Sequence, residues 1–254
     1  MTEDMAGGPP RGALEADVPT LVPGTSDRSG PGPGPNRRLL GRDQILREAV
    51  RLIDEEGRDR LTMRRLGSEL GVEAMALYRY IPGREQLLDG VVEYIMNELY
   101  QQTMTQELPG SWQEYLQQMA HGVRDIAVAH PRVFPLVATR PPAAPWLRPP
   151  LRSLRWVEGF LSSLQRFGFT DIKSVGIYRS FSTFLLGHLL LESATLDLGA
   201  EDELDDDIEF FETNDLSRYP RLMALQDQLR SDGHGTEFED ALEDLLDRIE
   251  LVFD

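Results

Sequence analysis

Hydrophobic positions recur along almost the whole chain with the 3.6-residue period of an α-helix. Between residue 42 and about residue 100 this period predicts four helices, because turn-forming residues interrupt it at Gly57, Gly71 and Pro82-Gly83. The second and third helices are short: Thr62 is a favourable N-cap for the second, and the third runs from Ala74 to Tyr80. This region is therefore expected to fold as a small group of helices that leads into a long one.

Helical periodicity continues beyond Pro109-Gly110 almost to the end of the sequence. Residues 201–215, with nine acidic residues in fifteen, are expected to form a solvated loop or a frayed helix. No alternating strand pattern persists, so the predicted fold class is all-α. The pattern predicts five helices in this larger region, at residues 112–130, 151–167, 171–196, 219–229 and 237–253.

Composition divides the chain into three parts. Residues 1–36 contain seven glycines and seven prolines, and such a segment buries too little apolar surface to offset the entropy of ordering it. They are expected to be a disordered arm, with contact to nucleic acid as the alternative because Arg37-Arg38 follows. Residues 37–90 are then a small helical domain, and residues 91–254 are a larger one.

The formal net charge is −17, from 43 acidic and 26 basic residues, and a protein this acidic is repelled by anionic partners such as nucleic acid. The charge is uneven, however: residues 1–36 carry −3, residues 37–90 carry +1 and residues 91–254 carry −15. The acidity therefore belongs to the larger domain, and the arginine-bearing small domain is the part expected to approach DNA.

Several kinds of chemistry are excluded or disfavoured by composition. The chain has no cysteine, which excludes disulfides, thiol nucleophiles and zinc–cysteine sites. No apolar run reaches the roughly 18 residues that cross a bilayer, and no charged start precedes an apolar core. The protein is therefore expected to be cytoplasmic, with no membrane partner. Phosphate-loop, metal-helix and serine-elbow motifs do not occur, so neither an enzyme nor a cofactor is expected.

Residues 61–84, LTMRRLGSELGVEAMALYRYIPGR, match the plan of a helix-turn-helix. In that plan the second helix places its first side chains against base edges, and here these are Ala74, Met75 and Ala76, while Leu77 faces inward. An ordinary corner between two helices of a bundle is the alternative on spacing alone. Phosphate contacts, which position the protein without reading sequence, are expected from flanking residues: Thr62, Arg64, Tyr78, Arg79, Tyr80 and Arg84.

Residues 42 to about 95 resemble the N-terminal domain of the tetracycline-repressor (TetR) family of transcription factors. The matching residues are Gly57, Leu61, Thr62, Arg64, Leu66, Gly71, Val72, Leu77, Tyr78, Tyr80 and Arg84. More weakly, four later segments resemble the ligand-binding domain of the tetracycline-repressor type: residues 111–113, 139–141, 166–170 and 238–247.

The resemblance implies a ligand-responsive regulator, usually a repressor. It would bind a pseudo-palindromic operator as a homodimer, and a small effector would release it by shifting the two DNA-reading heads out of register. A helical small-molecule-binding protein without DNA-binding activity is the alternative.

Two apolar stripes independently predict a dimer. One comprises Ile177, Phe181, Phe184, His188 and Leu191, and the other Phe238, Leu242, Leu245, Ile249 and Val252, each with 4-3-4-3 spacing. Two such helices from each protomer would build a four-helix bundle across a two-fold axis. Burial of both stripes within one protomer is the alternative.

The effector pocket is predicted to be apolar and free of metal. At the positions that match the pocket histidines of the tetracycline repressor, this chain has Tyr100 and Leu136, and neither is an ordinary metal ligand. Arg140 or His188 would orient the ligand, although His188 is also expected as a buried structural residue. The full set of pocket candidates, each of which could instead be ordinary core, is Tyr100, Met119, Val123, Leu136, Arg140, Trp156, Phe160, Phe184 and His188.

Overall fold

The computed structural model describes residues 40–104, 107–141, 144–149, 153–198, 218–230 and 234–253. Their regular structure is helical throughout, which confirms the all-α prediction. The expected arm at residues 1–36 and the expected acidic loop at residues 201–215 lie outside the described residues.

The first four helices form at the predicted places. They are α1 (Arg42–Glu56), α2 (Met63–Glu69), α3 (Ala74–Leu77) and α4 (Arg84–Thr103), with one 3₁₀ turn at Arg58–Arg60 between α1 and α2. Gly57 ends α1 at a φ of +84°, and its N–H donates to the carbonyl of Ile53 at 2.8 Å. The hydroxyl of Thr62 accepts from the backbone N–H of Arg65 at 3.1 Å, as an N-cap does. Only α3 is shorter than predicted, since it stops at Leu77.

Two glycines shape the turn between α2 and α3. Gly71 has a φ of +67°, a left-handed conformation that glycine adopts without steric cost. At Gly67 an added Cβ would lie 2.8 Å from the carbonyl oxygen of Val72, whose own N–H donates to the carbonyl of Gly67 at 2.9 Å. Any larger residue at 67 would therefore push α2 and α3 apart. Leu66 and Leu77, one on each helix, are completely buried.

The rest of the described chain forms a larger helical bundle around α8, which contacts α5, α6, α7 and the last helix. Ser111 caps α5 and Ser153 caps α7 through their hydroxyl groups. The helices are α5 (Trp112–Ala129), α6 (Phe134–Thr139), α7 (Leu154–Arg166), α8 (Asp171–Leu198), α9 (Pro220–Ala224), α10 (Gln226–Arg230) and α11 (His234–Phe253).

The structure departs from the predicted elements and from the predicted domain boundary at four points. Helix α6 was not predicted, although Pro135 lies in its first turn, where proline is favoured. The helix predicted at 219–229 is two short helices that separate at Leu225, and α11 begins three residues earlier than predicted. The expected domain boundary between residues 90 and 91 falls inside α4, whose buried side chains continue one apolar core from the small helices into the bundle.

Candidate functional site

Helix α3, here called the reading helix, presents its first side chains to solvent. Met75 is 75% exposed, whereas Leu77, two residues later, is completely buried. Ala74 and Ala76 are half-buried on either side of Met75. The helix has a single turn and one buried side chain, so Leu77 attaches it to the protein while Met75 projects outward.

The side chains around the reading helix include two arginines without acidic partners. Arg64 and Arg79 are exposed, and among the described residues no carboxylate is recorded in an ion pair with either of them. Tyr78 and Tyr80 are also largely exposed. Thr62 is exposed too, although its hydroxyl is already used as the cap of α2. The reading helix is therefore flanked along the chain by exposed polar residues of both charges, since Glu73 at its N-cap is exposed as well.

Arg84, which was predicted as a phosphate contact, donates two hydrogen bonds within the small domain. Its Nε donates to the carbonyl of Leu61 at 3.0 Å, and one Nη donates to the carbonyl of Arg58 at 2.9 Å. These bonds tie the start of α4 to the loop before α2. The structure thus places Arg84 as a brace of the small domain.

Two further arginines of the small domain are neutralised within it. Arg51 pairs with Glu48, Glu55 and Glu69, and Arg65 pairs with Glu56 and Glu69. The hydrogen bond from Arg65 lowers the pKa of Glu56. The charges of Arg51 and Arg65 are therefore balanced within the small domain.

An apolar cavity of about 30 Å³ lies in the bundle. By volume it holds about two water molecules, so a drug-sized ligand requires it to enlarge. None of its lining side chains is ionisable. They come from α4, α5, α6, α7 and α8 and comprise Met96, Leu99, Val123, Phe134, Val137, Trp156, Ser182, Leu185 and Leu186.

Of the predicted pocket residues, only Val123 and Trp156 line this cavity. Met119 and Phe160 are completely buried in the core, and Leu136 lines a separate cleft beside the 3₁₀ turn. The ring of Tyr100 lies under the guanidinium of Arg155, 4.0 Å away. Phe184 and His188 pack against Phe238 of α11 at ring distances of 5.9 and 5.3 Å.

Arg140 also lies outside the cavity lining. Its Nε donates to Asp89 at 3.0 Å and one Nη donates to Glu85 at 2.9 Å, both on the first half of α4. Because these carboxylates already neutralise it, Arg140 is not placed to orient a ligand. It instead joins the end of α6 to the part of α4 that packs on α1.

The predicted dimer stripes are partly covered by the protomer itself. Four of the predicted interface residues are buried within the protomer, which is the alternative that the sequence left open: Ile177, Phe181, Leu242 and Ile249. These four belong to the core and not to an interface. Leu245 is half-buried, and Val252 is exposed. Of the stripe residues, Leu191 and Val252 are exposed, and the other exposed apolar side chains of α8 and α11 lie outside the stripes, at Ile172, Val175, Leu196 and Leu251.

An ion pair that sequence reasoning missed joins the small domain to the bundle. Nδ1 of His130, at the end of α5, lies 2.6 Å from Oδ2 of Asp54 in α1. The hydrogen bond with Asp54 raises the pKa of His130 above its ordinary value. Arg132 adds a bond to the carbonyl of Glu55 at 3.1 Å. Nothing in the local sequence indicates this pair, because its members are 76 positions apart.

Neither metal nor membrane features were found in the described parts of the chain. There, no three His, Asp or Glu side chains are grouped so that they could hold a metal ion. No described helix is both long enough and apolar enough to cross a membrane.

The small helical domain exposes its reading helix, and one long helix joins it to a bundle with an apolar cavity. This is the architecture of a helix-turn-helix transcription regulator. Two family descriptions match the chain: "Bacterial regulatory proteins, tetR family" over residues 45–91 and "Tetracyclin repressor-like, C-terminal domain" over residues 105–253. The chain belongs to the TetR family.

Similar proteins agree with this assignment. The HTH-type transcriptional repressor DrrR1 of Streptomyces coeruleorubidus is 28% identical over 64% of this chain and 56% of its own length. The tetracycline repressor protein class E of Escherichia coli is 30% identical over 61% of this chain and 70% of its own. The chain thus spans little more than half of the first relative. A crystal structure of a possible TetR family transcriptional regulator from Streptomyces coelicolor A3(2) has 30% identity and a TM-score of 0.66, covering 84% of this chain and 100% of that one.

Proposed function

We propose that this protein is a ligand-responsive transcriptional repressor that binds a pseudo-palindromic operator as a homodimer and is released by a small apolar effector. The observation that carries the proposal is the reading helix, where Met75 is 75% exposed on the same small domain as Arg64 and Arg79, which are exposed and form no ion pair among the described residues. A large apolar side chain exposed at the start of a one-turn helix gains nothing in a monomer. In a DNA groove it meets base edges and thymine methyl groups.

The exposed reading helix also argues against a ligand-binding protein without DNA activity, the alternative drawn from the sequence. If the small domain were only a corner of the bundle, its positive charges would be expected to pair as those of Arg51 and Arg65 do. Repression in particular is supported by the relatives, since DrrR1 and the class E protein are both named as repressors.

The homodimer is supported by the outward face of α8. Ile172, Val175 and Leu191 are exposed on it, and Thr183 and Gly187 are the small exposed residues between them. Leu251 and Val252 near the end of α11 are exposed as well. Contact of both helices with a partner would cover these side chains and form the four-helix arrangement that symmetric dimers use.

Coupling between effector and DNA is supported by α4, which both sites share. Its first half holds Leu87 and Leu88 in the core of the small domain, and its second half lines the cavity with Met96 and Leu99. Helix α6 also lines the cavity, and Arg140 connects its end to α4. A ligand that enlarges the cavity by displacing α4 or α6 would move a helix that reaches the small domain or is tied to it, and packed helices transmit such shifts over their length.

The proposal is tested by fluorescence anisotropy at low salt, with labelled duplex DNA from the region upstream of the protein's own gene. We expect saturable binding that weakens steeply as salt increases and that a scrambled duplex of equal composition does not reproduce. A matched protein control is Met75→Glu, which leaves the buried Leu77 in place but puts a negative charge at the exposed tip. Equal binding of both duplexes, or undiminished binding by the variant, would contradict the proposal.

A further inference from the structure

Two buried polar atoms at the apolar cavity have no hydrogen-bond partner among the residues that the structure describes. They are Nε1 of Trp156 and Oγ of Ser182, on side chains from residues that are only 2% and 3% exposed. Ser182 neighbours the hydroxyl of Tyr178, whose own proton is donated to the carbonyl of Pro149 at 3.1 Å. Both residues line the cavity, and the other seven lining side chains are apolar. The accessible surface of the cavity is entirely apolar, so the two polar atoms lie just behind it and become reachable when the cavity enlarges. Buried polar groups are nearly always paired, so two unpaired ones at one cavity require an explanation.

The indole of Trp156 is held in a fixed orientation. It stacks on Phe160 with a ring distance of 5.2 Å and an interplanar angle of 18°, and Phe160 stacks on Phe181 at 5.4 Å and 23°. The backbone N–H of Trp156 is bonded to the capping hydroxyl of Ser153 at 3.2 Å. With ring and backbone both anchored, the indole N–H cannot turn away to find another acceptor at little cost. It is a preorganised donor.

We propose that the effector is an uncharged, largely aromatic molecule with a hydrogen-bond-accepting oxygen, a carbonyl or an ether, that is received by the indole N–H of Trp156 and the hydroxyl of Ser182. An indole nitrogen only donates, so the ligand atom that it meets must accept. The aromatic walls from Trp156 and Phe134 favour a flat apolar body. No lining residue is ionisable, so a charged ligand would lose its hydration without compensation.

The small volume of the cavity is compatible with this ligand class. Met96 and the three leucines of the lining are side chains that can change rotamer to make room, methionine most easily. The inference rests on the proposed function, because it names the chemistry of the molecule that would enlarge the cavity and act through α4. It is separable from that function, since the protein could bind DNA whatever the cavity accepts.

The test compares 1-indanone with indane, two probes that share a bicyclic skeleton and differ by one carbonyl. Binding of each to the full-length protein is measured by isothermal titration calorimetry. A carbonyl in an apolar cavity without a donor weakens binding relative to the hydrocarbon. We expect the opposite: indanone binds at least tenfold more tightly than indane, a difference of about 1.4 kcal/mol.

Variants assign the preference to the two polar atoms. Trp156→Phe removes the N–H but retains an aromatic ring for stacking, and Ser182→Ala removes the hydroxyl. Each is expected to reduce the indanone preference, and the double variant is expected to reverse it. Ser174→Ala is the matched control, since Ser174 lies on the same helix with an equally buried and unpaired hydroxyl but does not line the cavity. It is expected to leave the preference unchanged.

Thermal unfolding separates this role from a structural one. Ser182→Ala and Ser174→Ala each remove an unpaired buried hydroxyl, so both are expected to leave the melting temperature unchanged or to raise it slightly. Indane binding as tightly as indanone to the unaltered protein, no binding of either probe, or an unchanged preference in Trp156→Phe would each overturn the inference. DNA binding by the same preparations shows whether the proposed function still holds in those cases.

Discussion

Replacing Arg64 and Arg84 separately by alanine is expected to produce two different defects. Arg84→Ala removes the bonds to the carbonyls of Leu61 and Arg58 at 3.0 and 2.9 Å. At about 0.5–1.5 kcal/mol for each bond, the free energy of unfolding should fall by about 1–3 kcal/mol. In a domain of this size each kcal/mol lowers the melting temperature by roughly 2–4 °C. Arg64→Ala removes no such bond and is expected to leave the melting temperature nearly unchanged.

The salt dependence of DNA binding distinguishes the same two variants. A phosphate contact contributes about 0.9 to the slope of log K against log salt concentration, so loss of Arg64 from both heads of a dimer should reduce the slope by about 1.8. Arg84→Ala should weaken binding with little change of slope. The assays are calorimetric melting and fluorescence anisotropy at four salt concentrations. If Arg84→Ala reduced the slope by this amount at an unchanged melting temperature, the assignment of Arg84 as an internal brace would be refuted.

Three further predictions follow from burial and charge. Met75→Ala should change operator preference at nearly unchanged stability, whereas Leu77→Ala should lower the free energy of unfolding by about 2–5 kcal/mol and weaken binding to every sequence. Competition anisotropy measures the preference, and denaturant unfolding measures the stability. Leu191→Glu should dissociate the dimer in sedimentation velocity, while Leu229→Glu, at a leucine that is 66% exposed on α10, should not. The bond to Asp54 raises the pKa of His130. The pair's contribution to stability is therefore complete below the ordinary histidine pKa of about 6.5 and is lost as pH rises through the raised pKa. His130→Gln should remove this pH dependence from denaturant unfolding, and an unchanged profile would contradict the pairing.

The small domain shows how far local sequence signals reach. The stop at Gly57, the cap at Thr62 and the turn at Gly71 depend on interactions within about four residues, so the sequence predicts them directly. The need for glycine at position 67 is different, because it arises from the approach of α2 to the carbonyl of Val72 after folding. Helix α6 has only six residues, too few for its apolar period to stand out from the loop around it.

The roles of the arginines could not be read from the sequence. The sequence predicts Arg64 and Arg84 alike as phosphate contacts, yet Arg84 donates to backbone carbonyls, and the neighbouring Arg65 is paired with Glu56 and Glu69. Their partners lie between 4 and 26 positions away. Which side chain stays available for DNA is therefore decided by the folded surroundings of each guanidinium.

By itself, the sequence determined the helical class, the helix-turn-helix and the separation of charge between the small domain and the bundle, because periodicity, caps and composition are local properties. Only the tertiary structure decided which apolar side chains are interior. Helix α8 is apolar on most of its circumference, so more than one stripe of it has the spacing of a packing face. The neighbouring helices cover Ile177 and Phe181 and leave Ile172 and Leu191 exposed. Spacing shows that a face is apolar, whereas the identity of its neighbour is set by contacts between residues far apart in the chain.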